Sequence, residues 1–402
     1  MTQTTLGELS IGGGSYGIGA SAVDFSANLP AYLRITDIRD DGTLDLSARK
    51  SVADPKATDY MLSDHDIVFA RTGNSTGRSY YYEPRDGEFA YAGFLIKFTL
   101  DPDKVNPRYI KYYAQSKPYW DWVASFNSGS TRGNINAKTY EAMPIDLPPR
   151  EVQDGIVTFC DSLSNKIRVN QQTNGYLVES ALSIWKRCVQ QSSEHMTIGE
   201  AAKEVITGKT PPTKRTELYG SDYPFITIPD MHDNVWFTST ERCLSEEGNK
   251  AQPKKIVNRG TVLVSCIATL GLVGIVSKPS HFNQQINAVV PKRAGEEYFL
   301  YCALLSVKQT LLGIGATGSA TLNVNKGAFS GIDIPWLDDK SMDEYIQTVR
   351  PLFEAIEANS NECLKLTSLR DALLPKLMSG EIDVSGIEVP TQPNSHLRDC
   401  LR

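Results

Sequence analysis

The sequence predicts an α+β protein: two tandem mixed α/β globular units separated by two long helices. Three observations carry that expectation. The second half restates landmarks of the first at a nearly constant offset, each copy ends in a long helical stretch, and the two stretches share one register. In the first, Cys160, Leu163, Ile167, Asn170, Asn174, Leu177, Ala181, Ile184 and Cys188 alternate steps of three and four. In the second, Val349, Leu352, Ile356, Asn359, Cys363, Leu366, Arg370, Leu373 and Leu377 repeat the alternation, each 189 residues later. A seam of this period is the mark of a coiled coil.

The first globular unit, 1–149, opens on Ile11-Gly12-Gly13-Gly14-Ser15-Tyr16-Gly17-Ile18-Gly19, a run suited to a loop. Tyr32–Ile35, Asp66–Ala70 and Phe94–Phe98 read as strands from their β-branched and aromatic content. Between the latter two lies Arg71-Thr72-Gly73-Asn74-Ser75-Thr76-Gly77-Arg78, a polar loop. Pro107 to Ser125 reads as one helix rich in Tyr and Trp, followed by the loop 127–136 and a short strand ending at Pro148-Pro149.

The second unit, 191–340, keeps this order. Thr197-Ile198-Gly199-Glu200 echoes Thr5-Leu6-Gly7-Glu8, and Gly260–Ser265 echoes the Asp66 strand. Thr269-Leu270-Gly271 stands where the polar loop was, and Tyr298–Ser306 replaces the aromatic helix. Thr317–Asn325 matches Ser128–Asn136 most closely of all. The long helices are expected over Arg150–Arg187 and Ser341–Met378, entered through Pro148-Pro149 and Pro335 and closed by Ser379-Gly380. Pro375 should kink or end the second within its last turn. The tail 383–402 reads as poorly ordered.

Composition excludes some classes. The chain has 402 residues, 41% hydrophobic and 22% charged, the balance of an ordinary soluble protein of more than one domain. No apolar run reaches the roughly 20 residues needed to span a bilayer. The N-terminal residues lack the basic and apolar regions of a signal peptide. Seven cysteines without CxxC spacing point to reduced thiols and the cytoplasm. A net charge of −6 argues mildly against a lone nucleic-acid binder, although basic loops or a basic partner can supply the field that phosphate contact needs.

No catalytic constellation emerges. There is no P-loop and no HExxH, and the glycine run neither follows a strand nor opens a helix as a nucleotide fingerprint must. The five histidines never take metal-ligand spacing. Neither Pro-Pro pair, Leu147-Pro148-Pro149-Arg150 or Thr210-Pro211-Pro212-Thr213, supplies an amino-methyltransferase motif.

The polar loops are the better candidates, because Arg, Asn, Gln and hydroxyl side chains are the ones that reach base edges and phosphates. In the first unit these are Ser15, Tyr16, Arg71, Thr72, Asn74, Ser75, Thr76, Arg78, Ser130, Thr131 and Arg132. In the second they are Lys209, Thr210, Thr213, Lys214, Arg215, Thr269, His281, Asn283, Gln284, Gln285 and Thr321. A plainly solvated surface explains any one of them equally well. The Gly-Ser…Asn-hydrophobic-Asn match has a different explanation: recurring in both copies, it reads as a structural turn. On the helices the seam candidates are Leu163, Ile167, Asn170, Leu177, Ile184, Leu352, Ile356, Asn359, Leu366 and Leu373. A buried seam Asn typically trades stability for register.

The layout resembles the specificity (S) subunit of type I restriction–modification systems over nearly the whole chain. The resemblance rests on the tandem units, the helix after each, the Thr-(Leu/Ile)-Gly-Glu starts and the ending Leu369-Arg370-Asp371-Ala372-Leu373-Leu374-Pro375-Lys376-Leu377-Met378-Ser379-Gly380-Glu381-Ile382. It implies two target recognition domains (1–149 and 191–340), each reading half of an asymmetric double-stranded DNA site. It further implies helices (150–190 and 341–382) paired as an antiparallel coiled coil with an internal pseudo-two-fold repeat. In such systems two methyltransferase (M) subunits dock on the helices and restriction (R) subunits join them. S-adenosylmethionine, ATP and Mg then belong to those partners, and this chain holds no cofactor, metal or catalytic residue. Each expected helix of 38 residues spans about 57 Å, or about 17 base pairs. Two other readings remain open: a coiled-coil protein–protein adaptor and a self-contained DNA-modifying enzyme.

Overall fold

A computed structural model describes residues 2–126, 133–316 and 322–384. The chain divides into two compact units, one formed by residues 1–165 with 367–402 and the other by 166–366. The boundary falls within both long helices, so each unit owns a stretch of each.

Unit 1 is organised by the strand Asp66–Ala70, every residue of which is buried. It lies between Leu95–Thr99 and Ser79–Tyr81 in an antiparallel four-stranded sheet that Ser15–Tyr16 completes at the far edge. Side chains alternate across a strand, so Ile67 and Phe69 enter one core and Val68 and Ala70 another. The helices Pro107–Tyr113 and Lys117–Ala124 cover the first core with Tyr109, Tyr112 and Tyr119. A second four-stranded sheet, in the order Ala22–Asp24, Lys50–Val52, Ala31–Leu33, Phe89–Tyr91, flanks the other face. The expected single helix 107–125 is therefore two. Pro118 has no amide to bond the Ala114 carbonyl and its ring would clash there, so it fits only in the first turn of a new helix and the chain breaks at Ala114–Ser116.

Unit 2 builds a five-stranded sheet in the order Ala202–Thr207, Ile286–Pro291, Val262–Ser265, Val273–Val276, Trp236–Phe237. The helices Glu296–Ser306 and Lys308–Gly315 pack on it, with Tyr298 to Leu304 all in the core. A four-stranded sheet holds Tyr219–Gly220, Cys243–Leu244, Tyr223–Ile226 and His281–Phe282.

The repeated Thr-x-Gly-Glu start is a capping device. In unit 2 Thr197 Oγ1 accepts from the Glu200 amide while the Glu200 carboxylate accepts from the Thr197 amide; Thr5 and Glu8 make the same exchange in unit 1. The glycine between them is spatial. A Cβ on Gly7 would lie 3.1 Å from the Glu141 carbonyl oxygen, and one on Gly199 would lie 3.2 Å from that of Ser330. Each start is the end of a two-stranded ladder, Thr2–Thr5 with Pro144–Leu147 and His195–Thr197 with Asp333–Pro335.

The long helices run Arg150–Gln190 and Asp339–Met378, somewhat longer than their sequence limits. Pro375 does not end the second, which continues to Met378 because Leu374 and Leu377 are buried in the unit 1 core and hold the last turn. Gly380 then takes a left-handed φ of 75° and its amide bonds the Leu377 carbonyl.

Within unit 2 the two helices run antiparallel. The Cys363 thiol meets the Ile167 carbonyl, Asn170 Nδ2 donates to Glu362 at 2.7 Å, and Asn174 Nδ2 donates to the Ile356 carbonyl and Ser360 Oγ. Asn359 Nδ2 donates to Asn174 Oδ1 at 2.8 Å, so the two seam asparagines each have a partner across the pair. Leu163, Ile167, Leu177, Ile184, Leu352, Leu366 and Leu373 are half-buried, and Asn170 and Ile356 are buried.

Candidate nucleic-acid interface

In unit 1 four segments converge at the end of the Asp66–Ala70 strand. The Arg71 amide donates to the Phe94 carbonyl at 3.0 Å, and the Ile135 amide donates to the Arg71 carbonyl at 3.0 Å. Thr72 bridges Asn134. The Arg71 guanidinium lies 5.1 Å from the centre of the Tyr16 ring, whose hydroxyl accepts from the Ala137 amide at 3.1 Å. Ser15 bonds the Tyr91 hydroxyl at 2.9 Å. Ser15, Tyr16, Arg71 and Thr72, scattered in sequence, thus form one cluster at the rim of the sheet. Arg71 Nε has no hydrogen-bond partner among the described residues, and Asn74, three residues on in the same loop, is exposed.

The glycine run has a spatial reason at Gly17. A Cβ there would lie 2.2 Å from the Tyr91 oxygen and 2.4 Å from the Ala92 oxygen. Only glycine lets this segment lie against the 91–95 turn, where the Ile18 amide bonds the Tyr91 carbonyl and the Gly17 amide bonds that of Leu95.

Unit 2 repeats this construction. The Gly208 amide bonds the Ile286 carbonyl, the Lys209 amide bonds that of Phe282, and a Cβ on Gly208 would meet the Asn283 oxygen at 2.1 Å. The Cys266 amide bonds the Gln285 carbonyl and the Val324 amide bonds the Cys266 carbonyl. Ile267 bridges Asn323 as Thr72 bridges Asn134. The corresponding rim therefore carries Lys209, Thr210, Gln284 and Gln285, with Thr210 Oγ1 hydrogen-bonded to Gln284 Oε1. Thr269 is exposed on the loop after Ala268, a non-glycine residue at φ 63°. Thr213, Lys214 and Arg215 are exposed on the adjoining 211–217 loop, with Arg215 paired to Glu217 at 2.7 Å.

The Asn-hydrophobic-Asn match is a turn and helix start. Asn136 caps the helix Ala137–Glu141 and Asn325 caps Lys326–Ser330, each accepting an amide through its side chain. The candidates Ser130, Thr131, Arg132 and Thr321 lie outside the described residues.

Several expected readers are structural instead. Ser75 is buried, and Thr76 Oγ1 donates to the Gly73 and Gly133 carbonyls, closing the loop. Arg78 is held by Asp40 at 2.6 Å and by the Ile38 carbonyl. Asn283 is buried, donating to Gln285 Oε1 and accepting from the Gln285 amide.

His281 is the clearest correction. It is 0% exposed, in a strand paired with Phe225, with Nε2 3.0 Å from Asn249 Oδ1 and Nδ1 3.2 Å from Gln252 Nε2. Burial pushes its pKa down to about 4. The unfolded chain then binds a proton more readily than the folded one, so this group's stability contribution is complete above about 6.5 and is lost as pH falls toward 4. We expect His281→Gln to flatten the acid side of the unit 2 stability profile by about 3 kcal/mol between those limits, read from urea melts at stepped pH. Parallel profiles for both proteins would refute this.

Sequence reasoning missed Phe94, which is 58% exposed on this same rim. Its signal was there: a bulky apolar residue preceded by Gly93 in an otherwise tight turn. Among the described residues no group of three or more His, Cys, Asp or Glu side chains is placed to hold a metal ion. No single helix among them is long and apolar enough to cross a membrane.

The family model described as type I restriction modification DNA specificity domain matches residues 35–177 and 191–362, one match in each half of the chain. A specificity subunit of the type I restriction enzyme HindI from Haemophilus influenzae is 44% identical over 181 residues, which cover 44% of this chain but only 39% of that protein. The MjaIX specificity subunit of Methanocaldococcus jannaschii is 23% identical over 71% of each chain. Among solved structures, the type I restriction-modification S subunit from M. genitalium covers 94% of this chain and 95% of its own at a TM-score of 0.51. Its 16% identity makes this a likeness of fold.

Proposed function

The chain belongs to the type I restriction modification DNA specificity domain family, and from that premise we propose how it works. It is the sequence-recognition subunit of a type I restriction–modification complex and carries no chemistry of its own. Each globular region (1–149 and 191–340) reads one half of a bipartite double-stranded DNA site. The regions 150–190 and 341–382 form an antiparallel coiled coil related by a pseudo-two-fold repeat, which sets the unread gap and docks two methyltransferase subunits. Restriction subunits join that complex. S-adenosylmethionine, ATP and Mg act in the partners, and the complex works on DNA in the cytoplasm.

One observation carries this reading. Both units hold the same four segments together by matching backbone hydrogen bonds, yet present Tyr16, Arg71 and Thr72 in one case and Lys209, Thr210 and Gln284 in the other. A fixed frame with different donors on it is what reading two different half-sites requires, because base contacts specify while the frame positions. The net charge of −6 is accommodated if partners help enclose the DNA.

The test is to co-express the chain with its methyltransferase and map methylated adenines genome-wide, with and without seven residues inserted in both long helices. We expect one bipartite motif, and on insertion a gap longer by about three base pairs with both half-site sequences unchanged. A changed half-site with the old gap would sink the ruler, and methylation independent of this chain would sink the recognition role.

A further inference from the structure

We infer that Phe94 is a specificity-determining residue of unit 1, reading a thymine through apolar contact with its C5 methyl group. The inference rests on the DNA-reading role proposed above and adds a residue and a base to it.

Four backbone bonds fix the position of Phe94. Its carbonyl accepts from the Arg71 amide at 3.0 Å, the Leu95 amide bonds the Ala92 carbonyl at 2.8 Å, the Gly93 amide bonds that of Ile18 at 2.8 Å, and the Ala92 amide bonds that of Leu33 at 3.0 Å. The ladder pairing Ala70 with Leu95 makes Arg71 its cross-strand neighbour. The Arg71–Phe94 amide bond extends that ladder by one step, so Phe94 is mounted backbone to backbone with Arg71, whose guanidinium lies 5.1 Å from the centre of the Tyr16 ring. The mount is rigid and the side chain is exposed.

An exposed phenyl ring on such a mount forfeits apolar burial that a polar residue would not, and the polar alternative exists in this chain. Gln285 occupies the corresponding place in unit 2, its carbonyl accepting from the Cys266 amide as that of Phe94 accepts from Arg71. The frame therefore tolerates an amide, and the ring is not needed for the turn. Among base edges the only apolar group is the thymine methyl in the major groove, and phenylalanine is one of the side chains that contact it. Insertion between base steps is the other use of an aromatic ring on DNA, but it calls for a projecting wedge. Phe94 instead sits at the rim of a hydrogen-bonded ladder.

The test uses the assembled complex with its methyltransferase on duplexes carrying the mapped site. Thymines of the unit 1 half-site are replaced one at a time by deoxyuridine, which lacks only the methyl. For the unaltered chain, one replacement should weaken binding about 3- to 10-fold. Phe94→Ala and Phe94→Gln should bind thymine and deoxyuridine duplexes equally, at the level of the unaltered chain on deoxyuridine. Discrimination at the unit 2 half-site should be unchanged, which also shows that the variants fold. The inference is overturned if every deoxyuridine is silent, if the half-site contains no thymine, or if the variants weaken specific and random DNA alike. If the unaltered complex prefers no sequence at all, the recognition role itself fails with it.

Discussion

Replacing Arg108 by methionine is expected to destabilise unit 1 by about 3–5 kcal/mol, a large share of the roughly 5–15 kcal/mol that holds a domain folded. The guanidinium stands between two carboxylates. Its Nε and Nη2 donate to Asp161 at 2.5 and 3.0 Å, and its Nη1 and Nη2 donate to Glu83 at 3.1 and 2.8 Å. Lys111 adds a third donor to Glu83 at 3.1 Å, and the Tyr112 hydroxyl donates to Asp161. Glu83 is buried, and Asp161 lies on the first long helix, so the pair ties the globular part of unit 1 to that helix. Methionine keeps much of the stem's volume but leaves both carboxylates short of a partner, and an uncompensated buried charge is the costly outcome. Urea melts followed by tryptophan fluorescence, with Trp120 and Trp122 in this unit, would report the loss. Burial alone would raise the Glu83 pKa, but the bonds from Arg108 and the charge of Lys111 outweigh it and hold it below its usual 4.5. The bond's stabilisation is therefore present above that pH and lost as pH falls through the lowered value. A variant as stable as the parent at pH 7 would show that the network is decorative.

Unit 2 makes its corresponding tie with different chemistry. Trp236 Nε1 donates to the Phe353 carbonyl at 3.0 Å, and Arg259, 4.8 Å from the centre of the Trp236 ring, pairs with Glu357. Neither tie was legible in the sequence. Arg108 and Asp161 are 53 residues apart and Trp236 and Phe353 are 117 apart, and nothing local marks either as a pair. What was legible is what local pattern writes: the Asp66–Ala70 strand, the repetition of the Thr-x-Gly-Glu starts (though not their capping role) and the two long helices with their common register.

The candidate rim divides along the same line. Arg71 and Thr72 were candidates as donors of a polar, glycine-punctuated loop, the kind of segment on which binding residues concentrate. His281 and Asn283 looked alike in sequence, a polar run of His-Phe-Asn-Gln-Gln, yet only its last two residues present their side chains toward solvent. The difference lies in Asn249 and Gln252, which close over the imidazole from a distant helix and its end. Gly17 and Gly208 show the converse. As sequence Gly17 belonged to a run suited to a loop and Gly208 drew no reading; in the fold both are points where two backbones touch, so their meaning depends on the partner segment.

That contact makes Gly208→Val the most selective prediction. Its Cβ would lie 2.1 Å from the Asn283 oxygen and 2.5 Å from the Phe282 oxygen, both backbone atoms that cannot rotate away. The segment carrying Lys209 and Thr210 must then lift off the 282–285 turn, breaking the Gly208–Ile286 and Lys209–Phe282 amide bonds and the Thr210–Gln284 pair. The larger core of unit 2, with Val262, Val264 and the helix Glu296–Ser306 at its centre, is built from other residues and should survive, while the smaller core that holds Phe282 and Ile286 borders the new side chain. Recognition should not. Losing the contacts to two or three base pairs, at about 1–3 kcal/mol each, predicts about a thousandfold weaker binding of the complete site. The variant complex should also stop distinguishing a correct unit 2 half-site from a scrambled one, while still rejecting a scrambled unit 1 half-site. Gly313→Ala, whose Cβ would meet nothing within 4 Å, is the matched control and should leave binding intact. If Gly208→Val loses both half-sites together, the two rims are not independent readers. If it loses neither, the rim is not where this chain meets DNA.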